Sequence, residues 1–221
     1  MTTFALIGAG PGLGLATARR FGSAGHSVAL IARNAQKLDD LTAELADEGI
    51  KARGFTADVL DIESLTAAQY AAGTSLGPVE ILQYSPVPRA DFMKPVLDTG
   101  ADDLDGPLAF SVKGPVAAVN VVLPGMRDLG RGTLLFVNGS SAVRPNPNVA
   151  GTSIAFAAES AYARLLHDTL APQNIHVAQL IVPGAIRPDA EHSSPDALAR
   201  RLYDIHTERG GFRHYSEPLS D

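Results

Sequence analysis

Apolar positions along the chain gather into short runs of strand length, separated by stretches in which they recur every three or four residues. Residues 4–7, 28–32, 79–84, 132–137 and 175–182 are apolar-rich runs that predict buried strands, and 51–55 is a weaker one. Between them, 13–21, 34–48, 62–72, 101–127, 154–170 and 195–209 carry apolar residues at helical spacing. In 34–48 Leu38, Leu41 and Leu45 form one stripe while Lys37, Asp39, Asp40 and Glu44 take the other side, which predicts a covering helix with a solvated face. Gly77-Pro78 ends the third helix, Gly114-Pro115 predicts a bend or irregularity in the long fourth one, and Pro183-Gly184 breaks the chain after the sixth strand. The stretches 85–95 and 183–195 read as loops, the second as a mobile flap, and the tail from Gly210 reads as polar and peripheral. Strands alternating with helices predict an α/β fold, a Rossmann-type doubly wound and mostly parallel sheet with helices on both faces. One domain over 1–221 accounts for the whole pattern. Ligands of such sheets sit beyond the C-terminal ends of the strands.

The first strand runs straight into Gly8, Gly10, Gly12 and Gly14, interleaved with Pro11 and Leu13, and a helical pattern begins at Leu13. Glycines tolerate positive φ and close backbone approach, and a helix N-terminus turns unpaired N–H groups and a positive dipole end toward a phosphate. A glycine pattern alone is weak evidence. A strand before it, a helix after it and a second strand at 28–32 make it a nucleotide site.

Composition narrows the rest. A chain of 221 residues, 45% of them hydrophobic, can bury a full core. A formal charge of -6, with no Lys/Arg stripe on any predicted helix, argues against a nucleic-acid surface. Cysteine is absent, which excludes disulfides, thiolate nucleophiles and cysteine-based zinc sites and fits a reducing, cytoplasmic setting. The apolar stretch 4–18 has no Lys or Arg before it and is interrupted by glycines, so it does not read as a signal peptide, and no membrane association is expected. His167, His176, Glu191 and His192 fall on different elements without HxH or HxxxH spacing, so no metal site is expected.

Taken in order, these landmarks resemble the short-chain dehydrogenase/reductase family over nearly the full chain. The family's TGxxxGxG turn is matched from Gly8 to Gly14, with Ile7 in place of the threonine. Its adenine-contacting pair is matched by Asp58-Val59, its Val-Lys-Gly-Pro run by 112–115 and its Leu-Pro-x-Met ending by 123–126. Its Pro-Gly after the sixth strand, which leads to backbone contacts with the nicotinamide amide, stands at Pro183-Gly184, followed by Ala185-Ile186. The resemblance implies a cofactor site made by Gly8, Gly10, Pro11, Gly12, Leu13, Gly14, Arg33, Asp58, Val59, Ser85, Pro183, Gly184 and Ile186. Family members that use NAD carry an acidic residue at the end of the second strand, where it binds the ribose hydroxyls. Here Ala32 holds that place and Arg33 follows, so a guanidinium is available to a 2′-phosphate and NADP(H) is favoured over NAD(H). The plainer reading is that Arg33 only begins a solvated helix, and Pro11 stands where many NADP members carry a basic residue.

The family's catalytic positions are not matched. A tyrosine normally supplies the proton, and a lysine four residues later, on the same helical face, lowers its pKa and holds the nicotinamide ribose. Alignment puts Phe156 and Ser160 at those two positions, and no Tyr-x-x-x-Lys occurs anywhere. Ser111 stands at the family's asparagine, and Gln83-Tyr84-Ser85-Pro86 replaces its Asn-Asn-Ala-Gly. The family's serine survives as Ser140 or Ser141, with a loop-capping turn as the alternative role for either. Three readings stay open. The first is hydride transfer to or from an unknown small molecule with another acid, for which Tyr84 is the leading substitute and plain packing the alternative. The second is NADP(H) binding without turnover, as a redox sensor or partner subunit, and the third is another nucleotide. Arg89, Arg187 and His192 lie on loops expected near the substrate mouth, where they would suit an anionic group. By resemblance the chain forms a homodimer or homotetramer through Val116, Val119, Val122, Ala155, Ala158 and Ala161, unless these residues face the sheet.

Overall fold

A computed structural model describes residues 1–219. Its strands are β1 (Thr3–Ile7), β2 (Ser27–Ala32), β3 (Ala52–Thr56), β4 (Val79–Tyr84), β5 (Gly132–Gly139), β6 (Ile175–Val182) and β7 (Arg213–Tyr215). They form one all-parallel sheet in the order β3-β2-β1-β4-β5-β6-β7. The helices are α1 (Leu13–Ser23), α2 (Ala35–Asp47), α3 (Ile62–Leu76), α4 (Asp105–Leu108), α5 (Gly114–Asp128), α6 (Ala150–Leu170) and α7 (Pro195–Glu208).

Alternation along the strands sends neighbouring side chains to opposite faces. Phe4 and Leu6 join Leu15, Phe21, Leu38, Leu198 and Leu202 in the core beneath α1, α2 and α7. Ala5 and Ile7 join Leu65, Val119, Val122, Met126 and Ala163 beneath α3, α5 and α6. Both faces are therefore covered, as a parallel sheet requires. The last turn of sheet was not legible in the pattern. The tail expected to be peripheral supplies β7, docked on β6 by Gln179 N–H to the Phe212 carbonyl (2.7 Å) and Ser216 N–H to the Ile181 carbonyl (3.0 Å). A three-residue Arg-His-Tyr strand has no apolar run to betray it. The last two residues of that tail lie outside the described residues.

The irregularity expected at Gly114-Pro115 falls immediately before it, as a π-helical turn over Ala109–Lys113. Pro115 has no N–H for the carbonyl four residues back, so the helix cannot run through unbroken. Gly114 permits the close approach there, since a Cβ would lie 2.6 Å from the Tyr84 hydroxyl and 3.2 Å from the Val59 carbonyl oxygen. The stretch Asp102–Asp128 is long and apolar enough, by length and composition, to cross a membrane. In the fold it packs against α3 and β4, and Gln69 Nε2 donates to the Ala118 carbonyl at 3.1 Å.

Val119, Val122 and Ala155, named above as a subunit-pairing surface, are buried within the chain's own core. Val116 and Ala158 are half-buried, and Ala161 is exposed together with Ile154 and Leu165. Of the segment 183–195, all but Pro195, the first residue of α7, is loop, held at its far end where the buried Ser193 hydroxyl meets Glu217 Oε1 at 3.0 Å.

Candidate cofactor and substrate site

The sheet order reverses between β1 and β4, so the loops after those strands part and leave a crevice at the C-terminal edge. Two adjoining hollows occupy it, one of about 620 Å³ on the β4–β6 side and one of about 310 Å³ on the β2–β3 side. They share Gly8, Gly10, Pro11, Pro86 and Val87, so the glycine turn is the wall between them.

The four glycines of that turn answer three different needs. Gly8 has φ +94°, and a Cβ there would sit 2.5 Å from Pro86 Cα. Gly14 is tight against the Ala9 backbone (3.2 Å), which lets α1 pack on β1. Gly10 and Gly12 have nothing within 4 Å of an added Cβ, so their missing side chains leave open space. That space lies at the start of α1. Asn34, Asp61 and Ser194 cap α2, α3 and α7 with their side chains, whereas α1 begins at Gly12 with no side-chain cap. An uncapped, glycine-lined helix N-terminus facing a crevice fits a pyrophosphate.

The smaller hollow is lined by Ala32, Arg33, Lys37, Asp58, Val59 and Arg89 among others, three cations to one carboxylate. Arg33, Asp58 and Val59 thus stand together as the sequence places them. Asp58 is held by the Leu60 N–H on its Oδ1 (3.0 Å). Lys37 and Arg89 were missed as members of this group. Lys37 comes in because α2 starts on the Asn34 cap (Lys37 N–H to Oδ1, 2.9 Å), which fixes its first turn over the hollow.

The larger hollow is lined by Gly12, Leu13, Gly14, Ser85, Ser141, Gly184 and Ile186 of the expected residues, and by Phe156. Pro183 is half-buried and does not line it. Of the two candidate serines, Ser141 lines the hollow and Ser140 does not. Asn138, Val149, Thr152 and Met93 complete the wall without having been read from the sequence. Among the described residues lining this hollow none is charged or titrates near neutrality.

Tyr84 does not line either hollow, and this corrects its expected role as a proton donor. It is 2% exposed, and its hydroxyl donates to the Phe110 carbonyl in the π-turn. Burial, with Glu159 and Asp58 nearby, pushes its phenol well above the ordinary value. It braces the sheet against the helix that carries Ser111. Arg187 and His192 also fail to line the hollow, and Arg89 lines the smaller hollow instead, so the anionic substrate pocket expected from these three does not form. Among the described residues no three metal-ligating side chains group together.

Behind Asn138 lies a buried polar chain. Arg213 Nη2 donates to Ser160 Oγ (2.7 Å), Ser160 Oγ to Gln179 Oε1 (2.9 Å), and Gln179 Nε2 to Asn138 Oδ1 (2.8 Å). Asn138 and Ser111 both hydrogen-bond the carboxyl of Glu159. Burial raises that carboxyl to about 8, against the pull of these two hydrogen bonds, so it is protonated at neutral pH. Its Oε1 is buried without a partner. Glu159 was missed because a single glutamate in a helix full of alanine reads as a solvated residue. Only the helical register gave a signal, since position 159 follows Phe156 by three and shares its inward face.

A glycine turn at a switch point, an anion-ready helix start and a basic hollow beside it define a dinucleotide-binding α/β protein. The model of the short chain dehydrogenase family matches residues 2–199, and the chain belongs to that family. Dehydrogenase/reductase SDR family member 4 of Homo sapiens is 28% identical over 176 residues, 80% of this chain and 63% of that relative, so the chain spans less than two thirds of its length. The 2,3-dihydro-2,3-dihydroxybenzoate dehydrogenase of Bacillus subtilis (strain 168) is 29% identical over 190 residues, covering 85% of this chain and 71% of the relative. L-Sorbose reductase from Gluconobacter frateurii, solved in complex with NADPH and L-sorbose, superposes with a TM-score of 0.86 at 21% identity, over 97% of this chain and 94% of that one. A short chain oxidoreductase from Pseudomonas aeruginosa PAO1 with an atypical catalytic center superposes at 0.84 and 20% identity over the same shares, 97% and 94%.

Proposed function

We propose that the chain is an NADP(H)-binding oxidoreductase that moves a hydride between NADP(H) and a carbonyl or alcohol carbon without the family's tyrosine–lysine pair. The observation that carries the cofactor choice is the cluster of Arg33, Lys37 and Arg89 lining the smaller hollow, beside an uncapped α1. A 2′-phosphate there meets Arg33 and Lys37, with Arg89 already paired to Asp91 at its edge, whereas a bare ribose offers those cations no charge. The turn at Gly10 and Gly12 takes the pyrophosphate, Asp58 the adenine amine, and Gly184 and Ile186 the nicotinamide end.

When bound, NADP(H) supplies or takes up the hydride at its nicotinamide. Ser141 donates a hydrogen bond to the substrate oxygen, and Phe156 packs where the family's acid would stand. With no acid lining the hollow, the proton that joins the reduced oxygen comes from water in the open crevice. Turnover is therefore slow, by about two to four orders of magnitude against an enzyme with a positioned acid. The chain works in the cytoplasm as a homodimer or homotetramer, with the exposed Ile154, Ala161 and Leu165 of α6 in the contact.

One observation favours NADP(H) binding without turnover: among the described residues lining the hollow, none can donate a proton near neutral pH. The two readings separate in NADPH oxidation followed over a range of ketone concentrations. Ser141→Ala lowers kcat/KM about 100-fold with the NADPH Kd unchanged, the usual cost of one donor to a developing oxyanion. Tyr84→Phe leaves catalysis intact wherever it folds. A wild-type protein that binds NADPH and never oxidises it establishes the non-catalytic reading, and a fully active Ser141→Ala removes Ser141 from the chemistry.

A further inference from the structure

The larger hollow sorts its surroundings by charge in a way the cofactor does not require. Its outer walls are the loops 85–95 and 183–195, which carry Arg89, Asp91, Lys94, Arg187, Asp189, Glu191 and His192. None of those side chains lines it. Partners hold several of them elsewhere: Arg89 Nε lies 3.0 Å from Asp91 Oδ1, Lys94 Nζ 2.6 Å from Asp103 Oδ1, and His192 Nε2 3.8 Å from Glu191 Oε1. In the second loop Ile186 and Pro188 line the hollow while Arg187 and Asp189 do not.

The side chains that do face it are large, apolar and uncovered. Val87 is 80% exposed and Met93 44%, although each lines a concave surface. Large apolar groups left open to water around a cleft mark a wall that a ligand covers. The polar lining consists of Asn138, Ser141 and Thr152, which are buried or half-buried, with Ser85 beside the glycine turn.

Resting on the cofactor reading above, we propose that the substrate is an uncharged ketone or aldehyde, or the matching alcohol, whose apolar body lies against Val87, Met93 and Val149 while its oxygen meets Ser141. A carboxylate or phosphate would lose its water here against walls that offer no counter-charge. An apolar body gains affinity with every methylene it buries, about fourfold each.

The test is a chain-length series of 2-alkanones, from butanone to nonanone, set against keto acids of matching length. Dissociation constants are measured by ligand-observed NMR on NADP⁺-saturated and on cofactor-free protein. The expected result is an affinity that climbs about fourfold per methylene until the hollow is full, with each keto acid at least about 100-fold weaker than its uncharged counterpart. Met93→Arg should narrow that gap by weakening the alkanone and strengthening the keto acid. Keto acids that bind as tightly as alkanones, a flat series, or no ketone binding in either form would overturn the proposal. If NADP⁺ is not taken up, the cofactor reading fails, while the cofactor-free arm still reports whether the hollow selects apolar bodies.

Discussion

Gly8→Ala should cost about 3 kcal/mol of stability and abolish NADPH binding together. The position has φ +94°, which an L side chain adopts at a cost of about 1–2 kcal/mol. The new Cβ would also lie 2.5 Å from Pro86 Cα and 2.6 Å from Pro86 N. Relief requires β1 and β4 to separate, yet Ser85 N–H is bonded to the Ile7 carbonyl (3.0 Å) and Gly8 N–H to the Ile31 carbonyl (2.9 Å). Overpacking against paired backbone adds about 1–3 kcal/mol. Gly10→Ala and Gly12→Ala are the contrast. Their Cβ atoms meet nothing within 4 Å, so stability should stay within about 0.5 kcal/mol while NADPH binding falls at least tenfold, because the methyl occupies the space meant for phosphate. Urea denaturation and calorimetric titration of the three variants separate the glycine the fold needs from those the ligand needs. A Gly10→Ala protein with wild-type affinity would place the pyrophosphate elsewhere.

Glu159→Gln should make the protein more stable than wild type at pH 8, by a margin that shrinks by about 2 kcal/mol at pH 6 and closes near pH 4. The folded carboxyl holds its proton up to about pH 8, while the unfolded one loses it near 4.5. Between those values the native state carries the extra proton, so stability falls as pH rises, by about 1.4 kcal/mol per unit and about 2 kcal/mol from pH 6 to 8. Glutamine mimics the neutral acid and has no such loss. On the acid side the sign reverses for His176 and His206, each lowered to about 4, first by burial. Below 6.5 the unfolded chain binds protons that the native imidazoles refuse, so stability falls as pH drops. Thermal midpoints of wild type should peak between about pH 6 and 7, and the gap to Glu159→Gln should widen by roughly 4–8 °C from pH 6 to pH 8. Identical pH profiles for the two proteins would mean that Glu159 reaches water.

Most of the sheet and the whole glycine turn were legible because one principle wrote them. Buried parallel strands must be apolar, and a turn that brings backbone to phosphate must be glycine. Arg33, Asp58 and Gly184 line the crevice where the family resemblance places them. β7 escaped because Arg213–Tyr215 is held by backbone pairing and by the Arg213 contacts with Ser160 and Gln179, which leave no periodicity. Tyr84 misled because sequence gives its strand position and not the space above it. The residue sits under Gly114 and the π-turn, a tertiary fact that only packing decides. Glu159 and Asn138 were invisible singly, since their meaning comes from a hydrogen-bonded chain joining α6, β5, β6 and β7.

On the proposed reading a backbone turn grips a pyrophosphate, and Arg33 and Lys37 beyond the end of β2 choose the phosphorylated cofactor. Calorimetric titration of wild type and Arg33→Ala with NADPH and with NADH tests both halves at once. A charge-assisted contact to phosphate contributes about 1.5–3 kcal/mol, so NADPH should bind at least tenfold more tightly than NADH. Arg33→Ala should remove most of that preference without changing NADH. Equal affinities in wild type, or no uptake of either nucleotide at millimolar concentration, would contradict it.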